Sequence, residues 1–258
     1  MGRPLATIDL RANRLSGRVP RSFGALPTLQ SLNLSSNCLC GEAPTLGASQ
    51  TSLRTLALAH NALEGPVPPA WAKLRALEGL RASHNRLRGS LPPALLLLPQ
   101  LREIRLSDNN VDGPLPPSVG QAPVLECVDL EHNALEGALP PEIGACSALR
   151  ELLLGHNRLC GPAPESLVQL RQLARLELNS NRFSVDDVAQ LHALCRRRWP
   201  QEIHEQLWLC LDDQRQQQQQ EEVRDEFHAA TAVDDVGESG EDDDQNMEGK
   251  NDDAEEKH

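Results

Sequence analysis

Eight asparagines recur at intervals of 24 residues, and this period constrains the fold more than any other feature of the 258-residue chain. A leucine precedes each asparagine by eight residues, and apolar residues precede it by five and by three. A fixed period of this length indicates a repeat architecture, in which each unit packs only on its neighbours. The asparagines are Asn13, Asn37, Asn61, Asn85, Asn109, Asn133, Asn157 and Asn181.

The pattern within one repeat predicts its local structure. Apolar and polar residues alternate before each asparagine, which indicates a short strand with its leucines turned inward. Stacking the repeats would join these strands into a parallel sheet and the leucines into one core. Each asparagine amide is expected to bond buried backbone groups of the turn after the strand, so the row of asparagines is a structural ladder and not a catalytic row.

A glycine follows the asparagine by four residues, and a proline follows it by seven, in all repeats except the last. The resulting unit, LxxLxLxxNxLxGxxP, resembles the plant-type leucine-rich repeat of receptor ectodomains and pectinase-inhibitor proteins. The resemblance covers residues 5 to about 183. It implies an α/β repeat solenoid, a right-handed superhelix of about eight turns with a parallel sheet on its concave face. Relatives in this repeat class bind ligands and do not transform them.

Composition divides the chain into three parts. Residues 1–183 form the solenoid of eight 24-residue repeats. Residues 184–211 are expected to be a helical C-terminal cap, with a first helix from Ser184 to about Arg198 and a second segment after Pro200. Residues 212–258 hold 18 Asp and Glu against 4 Lys and Arg, a local charge of −14, and include a glutamine run. We expect this acidic tail to be disordered.

The repeat phase also predicts which charged side chains share the concave face. Arg81 and Arg105 stand side by side as a basic patch, and acidic residues follow farther along. We expect a bipolar docking strip for a protein or peptide, and the alternative is a solvated face whose ion pairs contribute only about 0–1 kcal/mol. The candidate partner-binding residues are Arg81, Glu103, Arg105, Asp129, Glu131, Glu151, Arg175 and Glu177.

We find no motif for catalysis, a cofactor or a metal in the sequence. His60, His84, His132 and His156 each precede a ladder asparagine, which we interpret as duplication of a permissive exposed position and not as a metal site. Carboxylate neighbours should raise the pKa of Cys127. Cys38 and Cys40 are one residue too close for a CxxC redox pair, so packing or plain loop exposure is the interpretation.

These observations predict a non-enzymatic scaffold for a protein or peptide ligand, with no cofactor. The acidic tail would suit a basic partner. The nearly neutral body argues against nucleic-acid binding, and no apolar run is long enough to span a membrane. The unpaired cysteines and the absence of a signal peptide predict an intracellular, cytoplasmic protein.

Two other functions stay open. One is the ligand-binding ectodomain of a secreted or surface receptor or inhibitor, in which case the gene model is truncated and the location extracellular. The other is an acidic-tailed nuclear regulator similar to histone chaperones, although the tails of those proteins are more densely acidic and their repeats belong to another class.

Overall fold

The computed structural model of the chain describes residues 5–47 and 49–198, all of which belong to one compact unit. The predicted second segment of the cap and the predicted acidic tail lie outside these residues. Within the described part, successive repeats stack side by side, and each repeat contributes one strand to a parallel eight-stranded sheet. Its strands are Thr7–Asp9, Ser31–Asn33, Thr55–Ala57, Gly79–Arg81, Glu103–Arg105, Cys127–Asp129, Glu151–Leu153 and Arg175–Glu177.

The eight-stranded sheet is in register with the sequence period. Thr7 pairs with Ser31, and Ile8 pairs with Leu32, so partners on adjacent strands hold the same position in successive repeats. The middle residue of the strand points into the core, as Leu32 and Ile104 do with no exposed surface. The flanking residues point to the opposite, concave face of the sheet, where some of them, such as Cys127, are nonetheless buried. Equivalent positions of successive repeats therefore form straight columns across this face, about 4.8 Å apart.

A second, seven-stranded parallel sheet has one strand after the asparagine in each of the first seven repeats, and sequence analysis did not predict it. Its register is offset from the sequence period. Ser16 is the third residue after Asn13, and it pairs with Cys38, the first residue after Asn37. Cys40 and Ala62 pair with the same offset of two positions. The strands are Ser16–Gly17, Cys38–Glu42, Ala62–Pro66, Arg86–Ser90, Asn110–Gly113, Ala134–Gly137 and Arg158–Leu159.

Short helical turns return the chain to the next repeat. Proline begins four of them, because its fixed φ and missing N–H suit the first position of a helix. In most repeats the tenth residue after the asparagine is apolar and packs inward, and Trp71, Val119 and Ile143 are fully buried. The 3₁₀ turns are Arg21–Ala25, Pro69–Lys73, Pro117–Gln121, Pro141–Ala145 and Glu165–Gln169, and the α-helical turn is Pro93–Leu96.

The C-terminal helix, Val185–Arg198, covers the last repeat. Ser184 caps it, since its hydroxyl accepts a hydrogen bond from the Asp187 N–H at 3.2 Å and the Asp187 carboxylate accepts one from the Ser184 N–H at 3.0 Å. Leu191 and Cys195 are buried against the core. This helix confirms the predicted helical cap over the described part of its length.

The ladder asparagines tie neighbouring repeats together through their side chains. The Asn109 amide donates to the carbonyls of Ala82, Leu106 and Ser107 at 3.0–3.1 Å. Its Oδ1 accepts the N–H of Leu87, in the preceding repeat, at 2.9 Å. The same four bonds recur at every ladder asparagine from Asn37 to Asn181. One side chain thus satisfies three carbonyls and one N–H that would otherwise be unpaired in the turn.

The residue before each ladder asparagine has a left-handed backbone, with φ between 51° and 56° in all eight repeats. His60, His84, His132 and His156 occupy four of these positions and are exposed. The expectation that they mark a permissive position is wrong in one respect, because the left-handed backbone restricts which residues fit there. Histidine, asparagine and aspartate adopt this conformation more readily than most residues, which accounts for histidine here.

We expect Asn109→Ala to lower the free energy of unfolding by about 1–3 kcal/mol, because it leaves buried turn groups without partners. The matched control is Asn110→Ala, since Asn110 is the adjacent asparagine and is exposed. Chemical denaturation followed by circular dichroism measures both. Equal midpoints for the two variants would show that the ladder bonds do not stabilise the stack.

The left-handed position gives a second prediction. His132→Val places a β-branched residue at φ 51°, and we expect it to be about 1–2 kcal/mol less stable than His132→Gly. Both variants remove the imidazole, so their difference in unfolding free energy isolates the backbone. A valine variant as stable as the glycine variant contradicts the argument.

Candidate functional site

All eight predicted partner-binding residues lie on the eight-stranded sheet, at or next to its strands. The register aligns Arg81 with Arg105, and Arg105 with Asp129. It aligns Leu153 with Glu177 in the same column. The side chains separate into two groups. The first surrounds Glu103 and Arg105, and the second surrounds Glu131 and Glu177.

Glu103 is the centre of the first group. Both Nε and Nη2 of Arg81 donate to its Oε2, at 2.9 and 2.7 Å, and Arg105 Nε donates to its Oε1. Its side chain keeps only 17% of its surface exposed. This burial acts to raise the pKa of Glu103, but the hydrogen bonds from the two guanidinium groups outweigh it and leave the pKa below its usual value.

The arginines of this group are already paired, which differs from the basic patch that sequence analysis predicts. Besides Glu103, the Arg105 guanidinium lies 3.9 Å from Asp129 and 3.5 Å from Glu151. The column places Arg81 and Arg105 on adjacent strands, but Glu103 stands between their guanidinium groups. The strip is therefore an alternating network of charges at this end.

Cys127 lies beneath this network and is buried. Its Sγ lies 3.2 Å from Glu151 Oε2 and donates its proton to that carboxylate. Burial, followed by the Glu151 hydrogen bond, raises the pKa of Cys127 to about 12. The thiol is therefore protonated at neutral pH and unsuited to nucleophilic catalysis, which agrees with the direction expected from its carboxylate neighbours.

A cavity of about 280 Å³ opens beside Cys127. Three of its residues, Arg102, Glu126 and Arg150, were not among the predicted site residues. They occupy the column just before the strands, where Arg102 and Arg150 both pair with Glu126. The signal was present in the sequence, because charges alternate in this column from one repeat to the next between Arg54 and Arg150. The lining is Arg102, Glu103, Arg105, Glu126, Cys127, Arg150 and Glu151.

The second group joins two carboxyl groups. Burial, a hydrogen bond with Glu177 and the negative charges of Glu177 and Asp129 raise the pKa of Glu131 to about 8. Burial also acts to raise the pKa of Glu177, but hydrogen bonds from Glu131 and Arg175 outweigh it and lower that pKa. Arg175 Nε donates to Glu177 at 2.6 Å. At neutral pH, Glu131 is thus mostly protonated and donates to the Glu177 carboxylate.

The four histidines form two stacked pairs. The ring centroids of His60 and His84 are 4.1 Å apart, and those of His132 and His156 are 4.0 Å apart, with planes within 15° of parallel. Ring nitrogens bind metals in the plane of the ring, so the nitrogens of two parallel stacked rings do not converge on one ion. The stacked rings are packing contacts between neighbouring repeats.

Comparison with known proteins identifies the repeat. Leucine rich repeat family models match residues 3–63 and 100–122, and the same repeat unit continues between and beyond these segments. The chain is a leucine-rich repeat protein. Its unit is of the plant type. No curated protein sequence matches it.

Solved structures similar to this leucine-rich repeat protein include plant receptors. One is the Arabidopsis receptor kinase HAESA in complex with the peptide hormone IDA and the co-receptor SERK1, with 35% identity and a TM-score of 0.67 over 69% of this chain and 30% of that chain. Another is PEPR1–AtPEP1, with 32% identity and a TM-score of 0.66 over 69% and 25%. A plant ice-binding protein matches at 27% identity, with a TM-score of 0.54 over 69% and 65%. The chain spans about a quarter to a third of the receptor chains that it matches. Within the part of the chain that the structure describes, no helix has the length and apolar character needed to cross a membrane.

The Glu131–Glu177 pair predicts a pH dependence. Because the pKa of Glu131 rises from 4.5 to about 8 on folding, the folded protein binds this proton more tightly and loses stability as the pH rises from about 4.5 to about 8. Glu131→Gln removes this titration. We expect it to match the wild type in melting temperature at pH 5 and to exceed it at pH 9.

The matched control for this prediction is Glu136→Gln, because Glu136 is exposed on the seven-stranded sheet. Differential scanning calorimetry from pH 5 to pH 9 gives both differences. A Glu131→Gln variant that shows the same offset from the wild type at every pH contradicts the assignment.

Proposed function

We propose that this leucine-rich repeat protein is a non-enzymatic interaction module whose concave sheet binds a protein or peptide partner. The observation that carries the proposal is the continuous band of charged side chains on one sheet face, beside a cavity of about 280 Å³. Each strand of that face is hydrogen-bonded to a neighbour on both sides, except the first and the last strand of the sheet. The partner therefore meets a preorganised surface, which limits the entropy lost on binding.

The proposed contact residues extend from the alternating charge network to the acidic group on the same face. Arg81, with 54% of its side chain exposed, offers a cation at one end. At the other end, Asp129, Glu131 and Glu177 form an acidic group in which Glu131 carries a proton at neutral pH. A positively charged group of the partner would replace that proton favourably. The proposed contacts are Arg81, Glu103, Arg105, Asp129, Glu131, Glu151, Arg175 and Glu177.

The comparisons favour a peptide as the partner. The HAESA structure contains a peptide hormone, and another neighbour is a plant membrane receptor kinase ectodomain in complex with CASPARIAN STRIP INTEGRITY FACTOR 2, at 30% identity and a TM-score of 0.57. They also support the extracellular alternative over the cytoplasmic location that sequence analysis predicts. The basic partner of the acidic tail stays a sequence prediction.

The absence of catalysis is part of the proposal. Cys127, the one nucleophile that lines the cavity in the described residues, has a pKa of about 12. The charged groups around it are occupied by one another, as in the Arg105 contacts with Glu103 and Glu151. Such a network recognises complementary charges and offers no group poised to accept or donate a proton to a substrate at that point.

The test is selection of peptides from a randomised display library with the full chain as bait. We expect the selected peptides to bind Arg81→Gln/Arg105→Gln at least tenfold more weakly than the wild type, because hydrogen bonds to charged groups contribute about 1.5–3 kcal/mol each. The matched control is Arg86→Gln/Arg88→Gln, which removes two exposed arginines from the seven-stranded sheet. Isothermal titration calorimetry gives the affinities.

Circular dichroism establishes that both double variants are folded before binding is compared. Equal binding by all three proteins, or loss of binding by the control pair alone, would place the binding surface away from the concave sheet.

A further inference from the structure

Two exposed thiols lie on one strand of the seven-stranded sheet, far in sequence from the charged strip. The strand Cys38–Glu42 alternates in burial: Cys38 is exposed, Leu39 is buried and Cys40 is exposed. Side chains two apart on a strand point to the same face. Both cysteines are free thiols. The two sulfurs are therefore presented side by side to solvent.

Each cysteine has a small residue opposite it on one neighbouring strand. Cys38 is in register with Ser16 on one side, and Cys40 is in register with Ala62 on the other. Serine and alanine are small, so no bulky side chain stands at either of these positions. The two Cβ atoms are about 6.6 Å apart, which is twice the rise per residue of a strand.

This spacing excludes a disulfide and suits a bridging metal. A disulfide requires about 3.8 Å between Cβ atoms, which an undistorted strand cannot provide. Two thiolates in line on one metal ion are about 4.6 Å apart, twice a typical metal–sulfur bond of about 2.3 Å. Rotation about χ1 of each cysteine brings the sulfurs inward over that range while the strand keeps its backbone.

From this geometry we propose that Cys38 and Cys40 form a two-coordinate site for copper(I). Thiolates are the soft ligands that copper(I) prefers, and a monovalent d¹⁰ ion accepts two of them. In residues 5–47 and 49–198, no group of three or more His, Cys, Asp or Glu side chains could hold a metal. A zinc site, which takes four ligands, is therefore not formed on this strand.

The charge balance of the site is favourable. Binding forms two copper–sulfur bonds and releases two thiol protons to solvent, and the copper ion keeps its oxidation state. The product carries one negative charge. Arg18 lies across Gly41, since a Cβ built on Gly41 would be 3.0 Å from Arg18 Cγ and 3.2 Å from its Nε. The Arg18 side chain thus lies beside the residue that follows Cys40, and its positive charge would offset part of this negative charge.

The other described cysteines do not offer such a pair. Burial raises the pKa of Cys146 to about 11 and that of Cys195 to about 12, and Cys127 donates to Glu151. Cys160 is exposed, but it follows the strand Arg158–Leu159, which contains no second cysteine. Cys160 is therefore the natural single-thiol control.

The experiment uses the full chain, reduced without thiol reagents and kept free of oxygen. Copper(I) is supplied as its coloured bicinchoninate complex, and the loss of absorbance measures transfer to the protein. We expect one tightly held copper(I) per chain. Cys38→Ser and Cys40→Ser should each lower the affinity at least tenfold, because one thiolate cannot chelate. Cys160→Ser/Cys210→Ser should bind as the wild type does; Cys210 lies outside the described residues and is replaced for that reason.

Native mass spectrometry of the copper-loaded protein gives the number of chains per copper ion. One chain per ion, with loss in either strand variant, supports the proposal. Unchanged affinity in Cys38→Ser or Cys40→Ser, loss in Cys160→Ser/Cys210→Ser, or a copper ion shared by two chains overturns it. Circular dichroism shows whether the serine variants keep their fold, as the exposure of both positions predicts.

Discussion

The asparagine side chain is the interaction on which this stack of repeats depends. A chain that leaves one sheet and enters another within a few residues must bury turn carbonyls that neither sheet can pair. Asn109 bonds three carbonyls, those of Ala82, Leu106 and Ser107, and receives one N–H from the preceding repeat. Only the amides of asparagine and glutamine both donate twice and accept at one end, and asparagine is the shorter of the two. The two sheets and the core between them follow from this bond pattern.

Much of the fold could be predicted because residues 24 positions apart in the sequence lie next to each other on adjacent repeats. The strand before each asparagine, the inward leucines and the helical turns that begin at Pro69, Pro117 and Pro141 all lie where the repeat pattern predicts them. The left-handed position was missed, although the sequence carries its signal. The eight residues there are alanine, serine, histidine or aspartate, and none is β-branched.

The candidate site was predicted less completely, and the reason lies in side-chain freedom. Columns predict that Arg81 and Arg105 are neighbours on the sheet, but they do not predict that Glu103 draws both guanidinium groups to itself. The raised pKa of Glu131 likewise depends on burial and on a hydrogen bond with Glu177, two strands away. These contacts are made by long, flexible side chains. The backbone position of such a residue limits where its charged group can lie, but it does not determine which partner the group contacts.

The two sheets use the repeat in different ways, and register is the physical cause. In the eight-stranded sheet, partners hold the same position in successive repeats, so a side chain that recurs in the sequence meets its own copy on the next strand. Charges on that face therefore form networks that cross several repeats. In the seven-stranded sheet, each residue pairs with one that stands two positions earlier in the next repeat, so recurring side chains are staggered and do not meet. A pair of residues such as Cys38 and Cys40 then stays local to one strand. The proposed recognition surface therefore spans several strands of the first sheet, and the proposed two-cysteine copper site stays on one strand of the second.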